Sequence, residues 1–175
     1  MKKETVGRGF RVPGFTTAGI FCGIKTNKQK DLALIFSEEP SVAAGLFTSN
    51  QVVSPTITWC QEILKSSKRF RAIVVNSGNA NACTGPKGME DCKSLASKLS
   101  QKLSVEPKEI LIASTGIIGV PLPINKIVKA LPALSSKLSP VGWVSSAEAI
   151  MTTDLTPKFK SLSFYIGKHK ITMGG

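Results

Sequence analysis

The sequence predicts a layered α/β fold, and three observations carry that expectation. Apolar runs of strand length alternate with amphipathic helical stretches along the chain. The passages from strand to helix run through polar or glycine-containing loops. No internal repeat, low-complexity linker or boundary interrupts the order, so residues 1–175 read as a single α/β domain.

The first thirty residues are rich in glycine and turn-forming types. Asp31-Leu32-Ala33-Leu34-Ile35-Phe36, closed by Ser37 and Pro40, reads as a buried strand, and Ala43–Thr48 reads as a second. Ser54-Pro55 resembles an N-cap followed by proline at the first helical position. Ile57, Cys60, Ile63 and Leu64 then follow at helical spacing. Arg71–Asn76 is the clearest strand, and it ends in a polar loop from Asn76 to Pro86. The next stretch places Met89, Cys92, Leu95, Ala96, Leu99 and Leu103 on one helical face. After Pro107, Ile110–Ala113 reads as a strand running straight into Ser114-Thr115-Gly116. Pro123 opens a helix carrying Ile124, Ile127, Val128 and Leu131, and another helix is expected from Gly142 to Met151. Ser161–Ile166 alternates like a half-buried strand, and Gly167-Lys168 can turn it into a partner at His169–Met173. A hairpin there argues against a purely parallel sheet.

Composition narrows the function classes. An apolar fraction of 42% excludes a disordered chain. No apolar run approaches the ~20 residues of a membrane helix. Met1–Thr5 leads into Gly7, Gly9 and Pro13 rather than an apolar signal core, so the cytoplasm is the expected location. Four cysteines, Cys22, Cys60, Cys83 and Cys92, stand far apart with no C-x-x-C pair; they read as reduced thiols, and no metal is expected. The net charge of +12, from 23 basic and 11 acidic residues, invites a nucleic-acid reading. The lysines are scattered, however, and no run interleaves basic with aromatic residues. An anionic ligand or an acidic partner segment accounts for the charge equally well.

Standard catalytic sets are absent: there is no G-x-S-x-G, P-loop or G-x-G-x-x-G after a strand. His169, between two lysines on an expected strand, reads as a solvated surface residue. The loop Asn76–Gly85 has two readings, a tight self-satisfied turn or a ligand loop at the carboxyl end of a buried strand. Thr115 offers a hydroxyl and Gly116 an unobstructed N–H, the donor types an oxyanion hole uses. Thr-Gly after a strand is also a common turn. Met151-Thr152-Thr153-Asp154 reads as a helix end, or as hydroxyls and a carboxylate gathered for a ligand.

Taken in order, these segments resemble one family closely. Gly23-Ile24-Lys25, Asp31–Ile35, Ala43–Thr48, Arg71–Gly85, Ala113–Gly119 and Ala149–Asp154 together are similar to the α half of the ornithine acetyltransferase (glutamate N-acetyltransferase) family. The string Asn76-Ser77-Gly78-Asn79-Ala80-Asn81-Ala82-Cys83-Thr84-Gly85 is its most specific part. The resemblance implies an α/β/β/α sandwich completed by a β chain cut from the same precursor. It implies acetyl transfer from N-acetylornithine to glutamate through the β chain's N-terminal threonine, a nucleophile outside this chain. In some members acetyl-CoA also serves as donor; no other cofactor is implied. An N-terminal threonine carries its own base, the free α-amine, so no histidine is needed. Thr115 and Gly116 become the oxyanion hole, and Thr153, with Thr152 the near alternative, a substrate contact. Partners are the β chain and a second αβ unit, an α2β2 heterotetramer, with no nucleic acid and no membrane. The chain alone is expected to be inactive.

Two other readings compete. A self-cleaving aminopeptidase would share the N-terminal nucleophile and oxyanion hole, and a basic nucleic-acid-binding domain would show affinity falling steeply with salt. Assaying acetylornithine against peptide amides separates the two enzymes. The match breaks off at Met173-Gly174-Gly175, where the family continues through a lysine-containing stretch. The reading frame after Gly175 is therefore expected to encode a Lys-Gly segment and then an Ala-Thr cleavage site. Sequencing the gene checks this, and a stop codon with no separate β gene would defeat the two-chain mechanism.

Overall fold

The structure, a computed structural model, describes residues 11–175; the readings placed on Met1–Thr5, Gly7 and Gly9 lie outside the described residues. Its centre is a four-stranded mixed sheet in the order β1 (Phe15–Ile20), β2 (Leu32–Ser41), β3 (Phe70–Asn79), β4 (Ile110–Ile117). β1 pairs with β2, and β2 with β3, antiparallel, while β3 and β4 are parallel. The expected mixed α/β class is the one observed. β5 (Ser161–Ile166) and β6 (His169–Gly174) pair as the hairpin expected around Gly167-Lys168.

Side chains alternate across the strands, so one face holds Ala18, Ile20, Leu32, Leu34, Ala72, Val74, Ile110 and Ile112. Three helices cover it: α1 (Pro55–Ser66), α2 (Gly85–Leu103) and α3 (Ile124–Ser136). Their apolar stripes supply Trp59, Cys60, Ile63, Cys92, Leu95, Ala96, Leu99, Ile127, Leu131 and Leu134 to the same core. Polar edges inside it are satisfied: the Trp59 Nε1–H donates to the Ile110 carbonyl at 3.0 Å, and the Cys60 thiol donates to that of Ile112 at 3.2 Å. The four cysteines are free thiols, and burial pushes that of Cys92 up to about 12.

The opposite face is covered on the β1 side by α4 (Trp143–Ile150). Gly19 explains how closely it lies, because a Cβ there would come within 1.9 Å of the Ser145 carbonyl oxygen. Glycines that read as turn formers in sequence thus conceal β1, a strand buried on both faces. Trp143 packs with Val12 beside Phe15, Ile35 and Phe159.

Two further expectations are corrected. Ala43–Thr48 is not a strand: it joins no ladder, and Leu46 is fully exposed. An apolar run of strand composition has nothing to pair with at that point. β3 and β4 both extend beyond their apolar runs, so Ser77-Gly78-Asn79 and Ser114-Thr115-Gly116 lie within ladders rather than in loops. His169 is exposed on β6, as expected.

On the β3–β4 side of the second face Ile73 and Ala113 are exposed and Leu111 is half-buried. An apolar depression of about 280 Å³ runs there, lined by Phe15, Ile35, Val42, Ile73 and Leu111 among others. A protein that leaves such a patch open tends to associate through it. The 175-residue chain is therefore expected to bind the neutral dye Nile red and to sediment as more than a monomer. A monodisperse monomer with no dye binding would contradict this.

Candidate active site

The cleft forms where β3 and β4 overrun their apolar cores. Asn76 pairs with Ser114, Ser77 with Thr115 and Gly78 with Gly116, after which the register breaks and Asn79 faces both Thr115 and Ile117. This bulge depends on its two glycines. Gly116 adopts φ +136°, and a Cβ on it would lie 2.3 Å from the Gly78 carbonyl carbon. Gly78 adopts φ +96°. Backbone meets backbone at this point, with no room for a side chain.

The asparagines hold the bulge from behind. Asn76, Asn79 and Asn81 are all buried. Asn76 Nδ2 donates to the Asn79 carbonyl at 2.8 Å, and its Oδ1 accepts from the Ser114 hydroxyl at 2.6 Å. Asn79 Nδ2 reaches the Val120 carbonyl at 3.0 Å, while its Oδ1 accepts the Asn81 N–H at 2.8 Å. Asn81 Nδ2 donates to the Gly88 carbonyl at 3.1 Å, and Asn81 Oδ1 accepts from Thr84 at 2.9 Å. The asparagines of this string are satisfied within the protein, as the first of its two readings expected, although residues 76–79 belong to β3 rather than to a turn. Gly78 alone among its residues faces the cleft.

A second wall is the loop between β1 and β2. The carboxylate of Asp31, fully buried, accepts the backbone N–H groups of Cys22 (2.6 Å), Gly23 (3.1 Å), Ile24 (2.7 Å) and Lys25 (2.9 Å). The Cys22 thiol beside it is pushed up to about 12, first by burial and then by the Asp31 charge. Lys25 continues from this cradle, and its Nζ donates to the carbonyls of Lys30 at 2.9 Å and Met151 at 2.6 Å. Burial lowers its ammonium below the usual lysine range, against the pull of Asp31.

The third wall is the segment that leaves α4. The Ser77 hydroxyl donates to the Ala149 carbonyl at 2.6 Å, fixing the end of that helix on β3. Thr152 and Thr153 follow it and are exposed toward the opening. Asp154 turns to Lys158, whose ammonium holds its carboxylate below the usual range.

The result is an open cleft of about 540 Å³ lined by Ile24, Lys25, Thr26, Asn27, Gln29, Gly78, Thr115, Gly116, Ile117, Thr152 and Thr153. Thr115, Gly116, Thr152 and Thr153, singled out from two segments distant in sequence, meet in one place. The Thr115 side chain is half-buried, and its hydroxyl has no protein partner among the described residues. Lys25, Gln29 and Gly78 were not picked out as site residues by sequence reasoning. The signal for Lys25 was its place in Gly23-Ile24-Lys25, one of the segments carrying the resemblance. No three His, Cys, Asp or Glu residues gather for a metal among the described residues. Nor is any described helix long and apolar enough to cross a membrane.

The chain as a whole is similar to known proteins. The profile of the ArgJ family matches residues 16–175. The arginine biosynthesis bifunctional protein ArgJ of Caldanaerobacter subterraneus subsp. tengcongensis is 46% identical over 93% of this chain, and that of Synechocystis is 42% identical over the same share. The chain spans about 40% of the length of these relatives. The crystal structure of ArgJ from Bacillus halodurans superposes with a TM-score of 0.90 at 29% identity, covering 99% of this chain and 92% of that one. The ornithine acetyltransferase of Mycobacterium tuberculosis, solved with ornithine, gives 0.88 at 35% identity, covering 99% and 93%.

The cleft floor yields a test. Gly116→Ala meets both an unfavourable φ and the Gly78 backbone, and is expected to destabilise the protein by about 2–5 kcal/mol. Gly119→Ala, also at positive φ (+79°) but facing open space, is expected to cost only about 1–2 kcal/mol. Urea midpoints of the two variants provide the comparison. Equal losses would mean that the close β3–β4 approach does not govern the site.

Proposed function

Because this chain belongs to the ArgJ family, we propose that it is the α portion of a glutamate N-acetyltransferase of arginine biosynthesis. The whole enzyme moves an acetyl group from N-acetylornithine to glutamate. The observation that carries the proposal is the convergence of Thr115, Gly116, Thr152 and Thr153 on a single cleft. The M. tuberculosis structure with ornithine, at 35% identity, supports the same substrate class.

In this reading the chain supplies the surroundings of the reaction, and a β chain supplies the nucleophile. The N-terminal threonine of that β chain attacks the acetyl carbonyl while its α-amine takes up the hydroxyl proton. The carbonyl oxygen becomes an oxyanion, stabilised by the Thr115 hydroxyl and the Gly116 N–H. Collapse breaks the C–N bond, and ornithine leaves with a proton. The amine of glutamate then attacks the acetyl ester, forming a second oxyanion held by the same two donors; its collapse breaks the ester C–O bond, the threonine oxygen takes back a proton and N-acetylglutamate leaves. Thr153, or Thr152 beside it, contacts the substrate. No cofactor takes part, although acetyl-CoA is an additional donor candidate. The basic surface, at net charge +12, suits an anionic acceptor. The assembly is an α2β2 heterotetramer in the cytoplasm, and this chain by itself is inactive.

Thr115→Ala in the complete enzyme tests the central step. A donor aimed at a charge that exists only in the transition state acts on kcat rather than on substrate affinity. The expected loss is roughly 10²–10³ in kcat, about 3 kcal/mol, with KM for acetylornithine little changed. Thr115→Ser, which keeps the hydroxyl, should recover most of the rate. Maturation is checked by gel so that an uncut precursor is not counted as an inactive enzyme. A fully cleaved Thr115→Ala enzyme turning over near the wild-type rate would remove Thr115 from the oxyanion hole.

A further inference from the structure

The segment bearing Thr152 and Thr153 has little structure of its own. Past Ile150 the chain is in bends, and its local backbone bond is a long one, from the Met151 N–H to the Glu148 carbonyl at 3.4 Å. Thr152 and Thr153 make no hydrogen bonds among the described residues. Among the described residues, one bond reaches residues 151–153 from elsewhere in the fold, the 2.6 Å contact from Lys25 Nζ to the Met151 carbonyl.

Lys25 is built to make that contact. Asp31 holds its backbone N–H at 2.9 Å, so the start of the side chain is fixed. The stem passes over Gly78, where a Cβ would come within 3.1 Å of Lys25 Cγ. The ammonium then spans to two carbonyls belonging to different walls of the cleft, Lys30 and Met151. A bond from a charged donor in a partly dry site is stronger than a neutral one. The neighbouring Lys30–Glu148 ion pair also links this loop to α4, but both its side chains are about 40% exposed and solvent screens it.

We propose that Lys25 is a positioning residue: its tether to Met151 sets Thr152 and Thr153 at the height of the cleft where substrate is bound. The inference rests on the substrate-contact role given to those threonines above. Without the tether the hydroxyls sample many positions, and binding then has to order them, which weakens affinity. The oxyanion donors Thr115 and Gly116 sit on β4 and do not depend on Lys25.

The experiment uses the complete two-chain enzyme carrying Lys25→Met, which keeps a long apolar stem over Gly78 and removes the donors. Two quantities are read: amide hydrogen exchange of peptides covering residues 151–154, and kcat and KM for N-acetylornithine. Exchange should accelerate at that segment, and KM should rise roughly tenfold while kcat stays within about threefold. Lys25→Arg, which restores a cationic donor, should return both part of the way. Lys30→Met, which deletes a charge from the same loop but leaves the tether, should leave both unchanged. If Lys25→Met fails to assemble, Lys25→Gln is read in the same manner. Unchanged exchange at 151–154 overturns the tether, and faster exchange with unchanged KM overturns its role in binding. Should the wild-type enzyme not use N-acetylornithine at all, the proposed function fails, while the exchange measurement still decides whether Lys25 holds the segment.

Discussion

The carboxylate of Asp31 is fully buried and accepts four backbone N–H groups in succession, from Cys22 to Lys25. An unpaired carboxylate in that position would cost several kcal/mol, and hydrogen bonds to the charge offset it. The same residue, next to the first residue of β2, ties β1 and β3 through its backbone, donating to the Ile20 carbonyl at 2.9 Å and accepting the Ser77 N–H at 2.9 Å. One side chain therefore shapes the β1–β2 loop, and the main chain of that residue locks the loop to β3. The cleft wall, the direction of Lys25 and the seat of Met151 all follow from it.

Opposite this wall, the cleft floor is made from backbone. Where β3 and β4 outrun their apolar cores, a side chain at 116 would collide with the Gly78 backbone, and glycine removes it, while glycine at 78 leaves room for Ile24 and Lys25 of the β1–β2 loop. Strands that leave a core normally fray. Here buried asparagines replace the missing apolar contacts with hydrogen bonds that are all made within the protein. Those hydrogen bonds hold the bulge in place, and the proposed oxyanion donors, which need fixed positions, sit on it. The Asn-rich string thus contributes to the site indirectly, by holding Gly78, Thr115 and Gly116 still.

Rigid floor and tethered rim divide two kinds of work. Groups on β3 and β4 are fixed by ladders and suit transition-state stabilisation, which tolerates little displacement. Thr152 and Thr153 sit on a segment with few bonds, and such segments suit contacts that form as a ligand arrives.

The sequence by itself determined the α/β class, most helices and the terminal hairpin, and it singled out Thr115, Gly116 and Thr153, with Thr152 the near alternative, which the fold brings to one cleft. Local pattern suffices for these, because amphipathic spacing and family strings are written in consecutive residues. It failed where the deciding partner is distant in sequence. β1 was hidden because Gly19 answers to Ser145 on α4, and Ala43–Thr48 resembled a strand that the sheet leaves without a neighbour. Only the tertiary structure decided that the asparagines face inward, that Gly78 meets Gly116, and that Lys25 reaches Met151 across 126 positions of chain. Each of these is a contact between backbones or between polar groups at least partly buried. Their energies depend on what packs opposite, which no run of neighbouring residues records.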